Sequence, residues 1–119
     1  MPFLILSAGR DPNLLNQRSA MLRQAGYEVV VAGNSPQLVN RLFNGDFDLV
    51  LLCDSIRAEE RRRLTAIVKG HTPSTPVLLV AQAEDAAERP IDDGIVCCPE
   101  RILEMVREVL SQDTPRTAA

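Results

Sequence analysis

Residues that could do chemistry follow directly after the most apolar stretches of this 119-residue chain. Cys53 and Asp54 come after the run Leu49 to Leu52, and Cys98 closes a second run that begins at Gly94. A thiolate or a carboxylate in such a position could act as a nucleophile, and carboxylates could hold a hard cation such as Mg2+. A further carboxylate, that of Asp11, follows the first apolar run of the chain. The chemistry therefore depends on whether the fold brings these chain positions together.

Several other chemistries are disfavoured by the spacing of the remaining residues. Gly9 stands without the further glycines of a phosphate-binding loop, so a nucleotide or flavin site is not indicated. The three cysteines are too few and too irregularly spaced for a disulfide framework or a CxxC-type metal site. His71 lies in a polar segment and receives no role. No Ser-His-Asp or Cys-His pattern is visible, and we expect no enzymatic activity.

Composition limits the classes of partner. With 45% apolar and 24% charged residues, the sequence is typical of one globular domain. A net charge of -3 offers no general attraction to nucleic acid or anionic lipid, so neither is expected as a partner. The apolar runs are too short to span a bilayer, and no secretory signal precedes them. We therefore expect a cytoplasmic protein.

Short apolar runs alternate with segments of helical periodicity along the whole chain. The predicted strands are Phe3 to Leu6, Tyr27 to Ala32, Phe47 to Cys53, Val77 to Ala81 and Gly94 to Cys98. Nearly continuous apolar strands that alternate with helices indicate a parallel sheet covered on both faces. The prediction is an α/β, flavodoxin-like three-layer sandwich with a five-stranded parallel sheet of order 2-1-3-4-5 and about five helices. The fourth helix, between Gln82 and Asp93, is expected to be short, and residues 1–110 form the domain before a disordered tail at 111–119.

The order of these landmarks resembles the receiver domain of bacterial two-component response regulators, over residues 3 to 110. The resemblance is carried by Asp11-Pro12-Asn13-Leu14-Leu15, Ala25-Gly26-Tyr27-Glu28-Val29, Phe47-Asp48-Leu49-Val50-Leu51-Leu52, Thr75-Pro76-Val77-Leu78-Leu79-Val80 and Cys98-Pro99. It implies a domain that accepts a phosphoryl group on an aspartate after the third strand, with Mg2+ held by an acidic pair after the first. It also implies a hydroxyl residue after the fourth strand and a lysine after the fifth.

This sequence departs from the family pattern at each of those positions. The acidic-pair region contains Ser7 and Ala8, the phosphoacceptor position is Cys53, the hydroxyl position is Ala81, and the lysine position is Cys98. Thiols are soft ligands and suit Mg2+ poorly, so Mg2+ binding is predicted to be lost and no cofactor is expected. The resemblance thus implies a pseudo-receiver that signals through protein contacts, with a histidine kinase or another regulator as partner and a homodimer as a further option.

Two alternatives remain open from the sequence. In the first, Asp54 accepts the phosphoryl group and Asp11 serves as a partial metal ligand rather than only as a helix N-cap. In the second, Cys53 and Cys98 form a thiol redox sensor, although strand four should separate them beyond disulfide reach. The arginine-rich segment Arg57 to Arg63 is interpreted as an exposed helix start, with docking to an acidic partner surface as its functional alternative.

Overall fold

A computed structural model of the chain describes residues 3–53, 55–80 and 94–118. The strands are β1 (Leu4–Ala8), β2 (Glu28–Ala32), β3 (Leu49–Leu52), β4 (Val77–Val80) and β5 (Gly94–Cys97). The α-helices of these residues are α1 (Pro12–Gln24), α2 (Ser35–Phe43), α3 (Ala58–His71) and α4 (Ile102–Ala118), and a 3-10 turn at Pro99–Arg101 precedes α4. The predicted short helix between Gln82 and Asp93 lies outside the described residues.

The strands form one parallel sheet with the order β2-β1-β3-β4-β5. β1 pairs with β3 in the register Ala8 to Leu52, and β4 pairs with β5 in the register Val80 to Cys97. The predicted flavodoxin-like α/β fold with a parallel sheet is confirmed. Among the described residues, no helix is long and apolar enough to cross a membrane.

The sheet separates two apolar cores, because successive side chains of a strand point to opposite faces. Leu49 and Leu51 of β3 belong to one core together with residues of α1 and α4. Val50 and Leu52 belong to the other, which α2 and α3 cover. All four side chains are 0% exposed, so β3 is the most enclosed part of the fold. The unbroken apolar run of β3 is explained by this burial on both faces.

Both ends of α1 follow the local sequence signals. Asp11 is the N-cap of α1, Pro12 occupies the first turn, and Gly26 follows the helix with a φ of 101°, a conformation that favours glycine. The sequence predicted Ser35-Pro36 as the cap of α2. Instead Asn34 is the N-cap, and its side chain accepts a hydrogen bond of 2.9 Å from the amide of Gln37. Asparagine and serine are equally good N-caps, so composition alone could not choose between them.

Two element boundaries differ from the prediction in ways that affect the site or the domain limits. β1 continues to Ala8 rather than ending at Leu6. α4 continues to Ala118, so the segment predicted as a disordered tail is helical through residue 118. Extending an existing helix requires no new nucleation, which allows a segment without apolar periodicity to continue one that is anchored by Ile102, Val106 and Leu110.

Candidate functional site

The candidate site lies at the carboxyl edge of the sheet, where β1, β3 and β4 end at Ala8, Leu52 and Val80. Ligands of open α/β sheets bind at this edge. Ser7 and Ala8 are inside β1 and are 0% and 2% exposed, so neither side chain extends into the loops beyond the sheet. The residues that follow the strand are Gly9 and Arg10. The loop that follows β1 therefore begins with a glycine and a cation.

Gly9 lies directly against Cys53, the first residue after β3. The amide of Cys53 donates to the carbonyl of Ala8 at 2.9 Å, which holds the two strand ends together. A Cβ atom on Gly9 would lie 3.1 Å from the Cβ of Cys53 and 3.2 Å from the Oγ of Ser55. These distances are tighter than ordinary carbon contacts, so a side chain at position 9 would crowd the buried thiol. A carboxylate does not fit there without movement of this loop.

Ser55 connects the two loops of the site. Its Oγ accepts hydrogen bonds from the backbone amides of Arg10 at 2.9 Å and Asp11 at 3.2 Å. These amides precede the first turn of α1, where backbone donors lack helical partners. A serine hydroxyl thus satisfies donors that would otherwise be available to an anion.

Arg10 turns towards the amino ends of α2 and α3. Its Nη2 lies 2.9 Å from the Oε1 of Glu60, whose side chain is only 10% exposed. The hydroxyl of Ser35 donates a short hydrogen bond to the other carboxylate oxygen of Glu60. The guanidinium, the carboxylate and the hydroxyl therefore form a polar network that joins the β1–α1 loop to both helices.

The network favours the charged form of Glu60. The hydrogen bond from Ser35 lowers the pKa of this carboxyl below its ordinary value of 4.5, burial opposes that change, and Arg10 lowers the pKa further. The pKa is lower in the folded than in the unfolded chain, so the stabilisation is present above pH 4.5. It is lost as the pH falls through the folded-state value.

Replacing Glu60 should remove this pH dependence. We expect Glu60→Gln to lower the free energy of unfolding by about 1.5 kcal/mol at neutral pH, because glutamine still accepts a hydrogen bond but lacks the charge that strengthens the contacts with Ser35 and Arg10. The difference between variant and parent should shrink as the pH falls below 4.5. Urea denaturation between pH 3 and pH 7 measures the free energy of unfolding of both proteins. A difference between them that stays the same at every pH would contradict a lowered pKa of Glu60.

Asp11 serves the helix rather than the sheet edge. Its Oδ1 accepts hydrogen bonds from the amides of Asn13 at 2.9 Å and Leu14 at 3.3 Å. This confirms the predicted N-cap of α1. In the alternative with Asp54 as phosphoacceptor, the sequence also predicted this carboxylate as a partial metal ligand.

Two substitutions separate these roles of Asp11. We expect Asp11→Ala to cost about 1 kcal/mol of stability and Asp11→Asn to cost only a few tenths, since asparagine caps as well as aspartate. Denaturant titration with and without Mg2+ measures both. If Mg2+ stabilised the parent and this effect vanished in Asp11→Asn, Asp11 would be a metal ligand.

A further cation lies at the end of β4. Nη1 of Arg61 donates to the carbonyl of Val80 at 2.7 Å, and Arg61 is only 8% exposed. Buried guanidinium groups keep their charge, so α3 supplies positive charge at this edge. The sequence interpretation placed Arg61 in an exposed helix start, and this assignment is wrong for Arg61 because the first turn of α3 packs against the end of β4.

Cys53 and Cys98, the two described cysteines of the site, are not in a disulfide. Cys53 is 0% exposed, whereas Cys98 is partly exposed at the start of the 3-10 turn. β4 lies between β3 and β5, and strands separated by one neighbour are about 9–10 Å apart. This is beyond the Cα separation of about 7 Å that a disulfide tolerates. A disulfide between these cysteines would require the strand ends to move.

Two of the predicted site positions lie outside the described residues, namely Asp54 and Ala81. Among the residues that the structure does describe, no group of three or more histidine, cysteine, aspartate or glutamate side chains could hold a metal ion.

The overall architecture can be compared with solved structures. No family model matches the sequence, and no curated protein matches it. A response regulator receiver domain protein from Methanospirillum hungatei superimposes with a TM-score of 0.80 at 21% identity, over 98% of this chain and 99% of that one. The chain has the fold of a receiver domain. A receiver domain protein from Clostridium thermocellum gives a TM-score of 0.82 at 14% identity, with 98% and 97% of the two chains covered.

A third similar structure was solved with ligands. The response regulator TrrA of Thermotoga maritima, in complex with Mg2+ and BeF, gives a TM-score of 0.77 at 18% identity, over 92% of this chain and 99% of that one. At such identities the likeness establishes the receiver fold alone. The chemistry of the carboxyl edge depends on the residues of this chain.

Sequence reasoning missed several residues that build the site. Arg10, Ser35 and Glu60 come from three different elements, and no spacing rule connects them. Ser55 follows two residues after Cys53 and belongs to no recognisable motif. One sequence signal pointed to Arg10. It precedes the helix start Asp11-Pro12, so it must lie in the loop between β1 and α1.

Proposed function

We propose that this chain is a receiver-like signalling module that does not accept a phosphoryl group and works through protein contacts. The observation that carries the proposal is the loop after β1, where Gly9 packs on the buried Cys53 and Arg10 is paired with Glu60. Phosphoryl transfer with Mg2+ needs anionic oxygen ligands and a carboxylate nucleophile at this edge. A glycine, a guanidinium and a thiol supply neither.

The polar network supports a module with one resting conformation. The Arg10–Glu60 ion pair and the Ser35 hydrogen bond hold the β1–α1 loop against α2 and α3. In a switching receiver the added phosphoryl charge would have to rearrange these loops. Here an internal ion pair already supplies the charge balance, so no ligand is needed to order them.

We further propose which ligands the module does not bind and which class of protein it contacts. The module binds no Mg2+ or other cofactor, catalyses no reaction, and contacts neither nucleic acid nor membranes. It acts in the cytoplasm on a histidine kinase or another regulatory protein. The competing hypotheses are a phosphoacceptor at Asp54 and a thiol sensor at Cys53 and Cys98.

Beryllofluoride tests the proposal, because TrrA is known in complex with Mg2+ and BeF. We expect the amide NMR spectrum of this protein to remain unchanged when Mg2+ and beryllofluoride are added together. TrrA serves as the positive control under the same conditions. Saturable shifts at Gly9, Arg10 and Cys53 would overturn the proposal, since they would show that this edge still binds a phosphoryl mimic.

A further inference from the structure

An apolar groove runs between α2 and α3 on the face of the sheet opposite α1. Its lining includes Pro36, Val39, Phe43 and Ile67. On α2, Pro36, Val39 and Phe43 follow the i, i+3, i+7 spacing of one helical face. Pro36 and Phe43 of this face are exposed, whereas Val39 is partly buried and also packs against the core. The groove therefore exposes a helical stripe that the fold itself covers only in part.

Phe43 is the most prominent residue of the groove. Its side chain is 59% exposed, more than any other large hydrophobic residue that the structure describes. The ring of His71, at the end of α3, stacks on it with centroids 4.2 Å apart and an angle of 12° between the planes. Stacking holds the phenyl ring in place before any partner arrives, which lowers the entropy cost of using it as an anchor. Exposed aromatic anchors of this kind are typical of binding hot spots.

The charge beside the groove is positive. Among the described lining residues, Arg63 is the charged one, and it is exposed. Among the charged residues of α3, Arg62, Arg63 and Glu59 are exposed, whereas Arg61 is buried against the carbonyl of Val80 and the Arg10 ion pair balances Glu60. α2 carries Arg41 and no acidic residue. The surface beside the groove thus carries positive charge, whereas the chain as a whole has a net charge of -3.

We propose that the α2–α3 groove binds an acidic amphipathic helix of a partner protein. Apolar side chains at i, i+3, i+4 and i+7 of that helix would lie between Val39, Phe43 and Ile67. Its carboxylates would face Arg63 and the neighbouring basic residues of α3, which selects the partner by charge. The inference rests on the proposed function, because it names the class of partner for a module that acts through protein contacts.

A pair of synthetic helical peptides tests the groove. One carries leucines at i, i+3, i+4 and i+7 with glutamates at the flanking positions, and the other has lysines in place of the glutamates. We expect the acidic peptide to bind at least about tenfold more tightly in fluorescence anisotropy, and to shift amide NMR signals of residues 35–43 and 58–71. Phe43→Ala should weaken its binding about tenfold, and Arg63→Glu should reverse the preference between the peptides.

Two matched variants control for unspecific effects. Phe3→Ala removes another partly exposed phenylalanine, and Arg107→Glu reverses an exposed charge on α4, so neither should change peptide binding. Equal affinity for both peptides, or binding that Phe43→Ala leaves intact, would overturn the inference. Self-association in sedimentation that Phe43→Ala abolishes would also overturn it, because a second copy would then occupy the groove. The beryllofluoride experiment is independent, so failure of the proposed function would be recognised separately.

Discussion

Cys53→Asp should destabilise the protein by about 3 kcal/mol at neutral pH, because it places a carboxylate where the parent side chain is 0% exposed. The change introduces the residue type that receiver domains use as phosphoacceptor at the position that the sequence resemblance predicts. Here the neighbouring backbone at Gly9 approaches closely, and Arg10 is already paired with Glu60. The new charge would therefore be desolvated at a position that the fold closes to solvent.

The pH dependence and a neutral control variant show whether the buried charge causes the destabilisation by Cys53→Asp. Burial raises the pKa of the introduced carboxyl above its unfolded value, so the destabilisation should shrink as the pH falls and the group is protonated. Cys53→Asn has nearly the same shape without the charge and should cost less at pH 7. Urea denaturation of both variants, with and without Mg2+, measures the effect. Recovery of Cys53→Asp stability by Mg2+ would contradict the account, since it would reveal a metal site.

Leu52→Ala should cost about 3 kcal/mol, within the range of 2–5 kcal/mol found for leucine truncations in well-packed cores. Leu52 is the last residue of β3, is 0% exposed, and contributes to the core beneath α2 and α3. Removing three carbon atoms there leaves a cavity between the sheet and two helices. The expected loss can be measured as a lower denaturation midpoint with an unchanged m-value.

An exposed phenylalanine provides the comparison for Leu52. Phe43→Ala removes a larger side chain, but one that is 59% exposed and makes its ring contact with His71. Its cost should stay below about 1 kcal/mol. If Phe43→Ala destabilised the protein as much as Leu52→Ala, Phe43 would be part of the folding core, and its role as an anchor for a partner would lose its support.

The strands illustrate what could be predicted from the sequence. The run Leu49 to Leu52 is apolar at every position, and only burial on both faces explains such a run. Asp11-Pro12 specified the start of α1 because capping is a local interaction between near neighbours in sequence. Local patterns of this kind gave the α/β architecture and most helix starts.

The contacts that define the site are not local. Arg10 meets Glu60 and Ser35 only after β1, α2 and α3 have packed together, and no sequence spacing encodes that meeting. The close approach of Gly9 to Cys53 likewise depends on the register between β1 and β3. The sequence predicted which residue types stand at the positions of the receiver pattern, whereas the structure describes the contacts around the strand ends.

Intact-mass measurement after incubation with acetyl phosphate and Mg2+ tests the central claim most directly. The account predicts that the protein keeps its unmodified mass at every incubation time, while a working receiver treated in parallel gains one phosphoryl group. Asp54→Ala is the matched variant, because Asp54 is the remaining carboxylate next to the phosphoacceptor position. A stoichiometric phosphoryl adduct on the parent that Asp54→Ala abolishes would contradict the account, since the module would then be a phosphoacceptor.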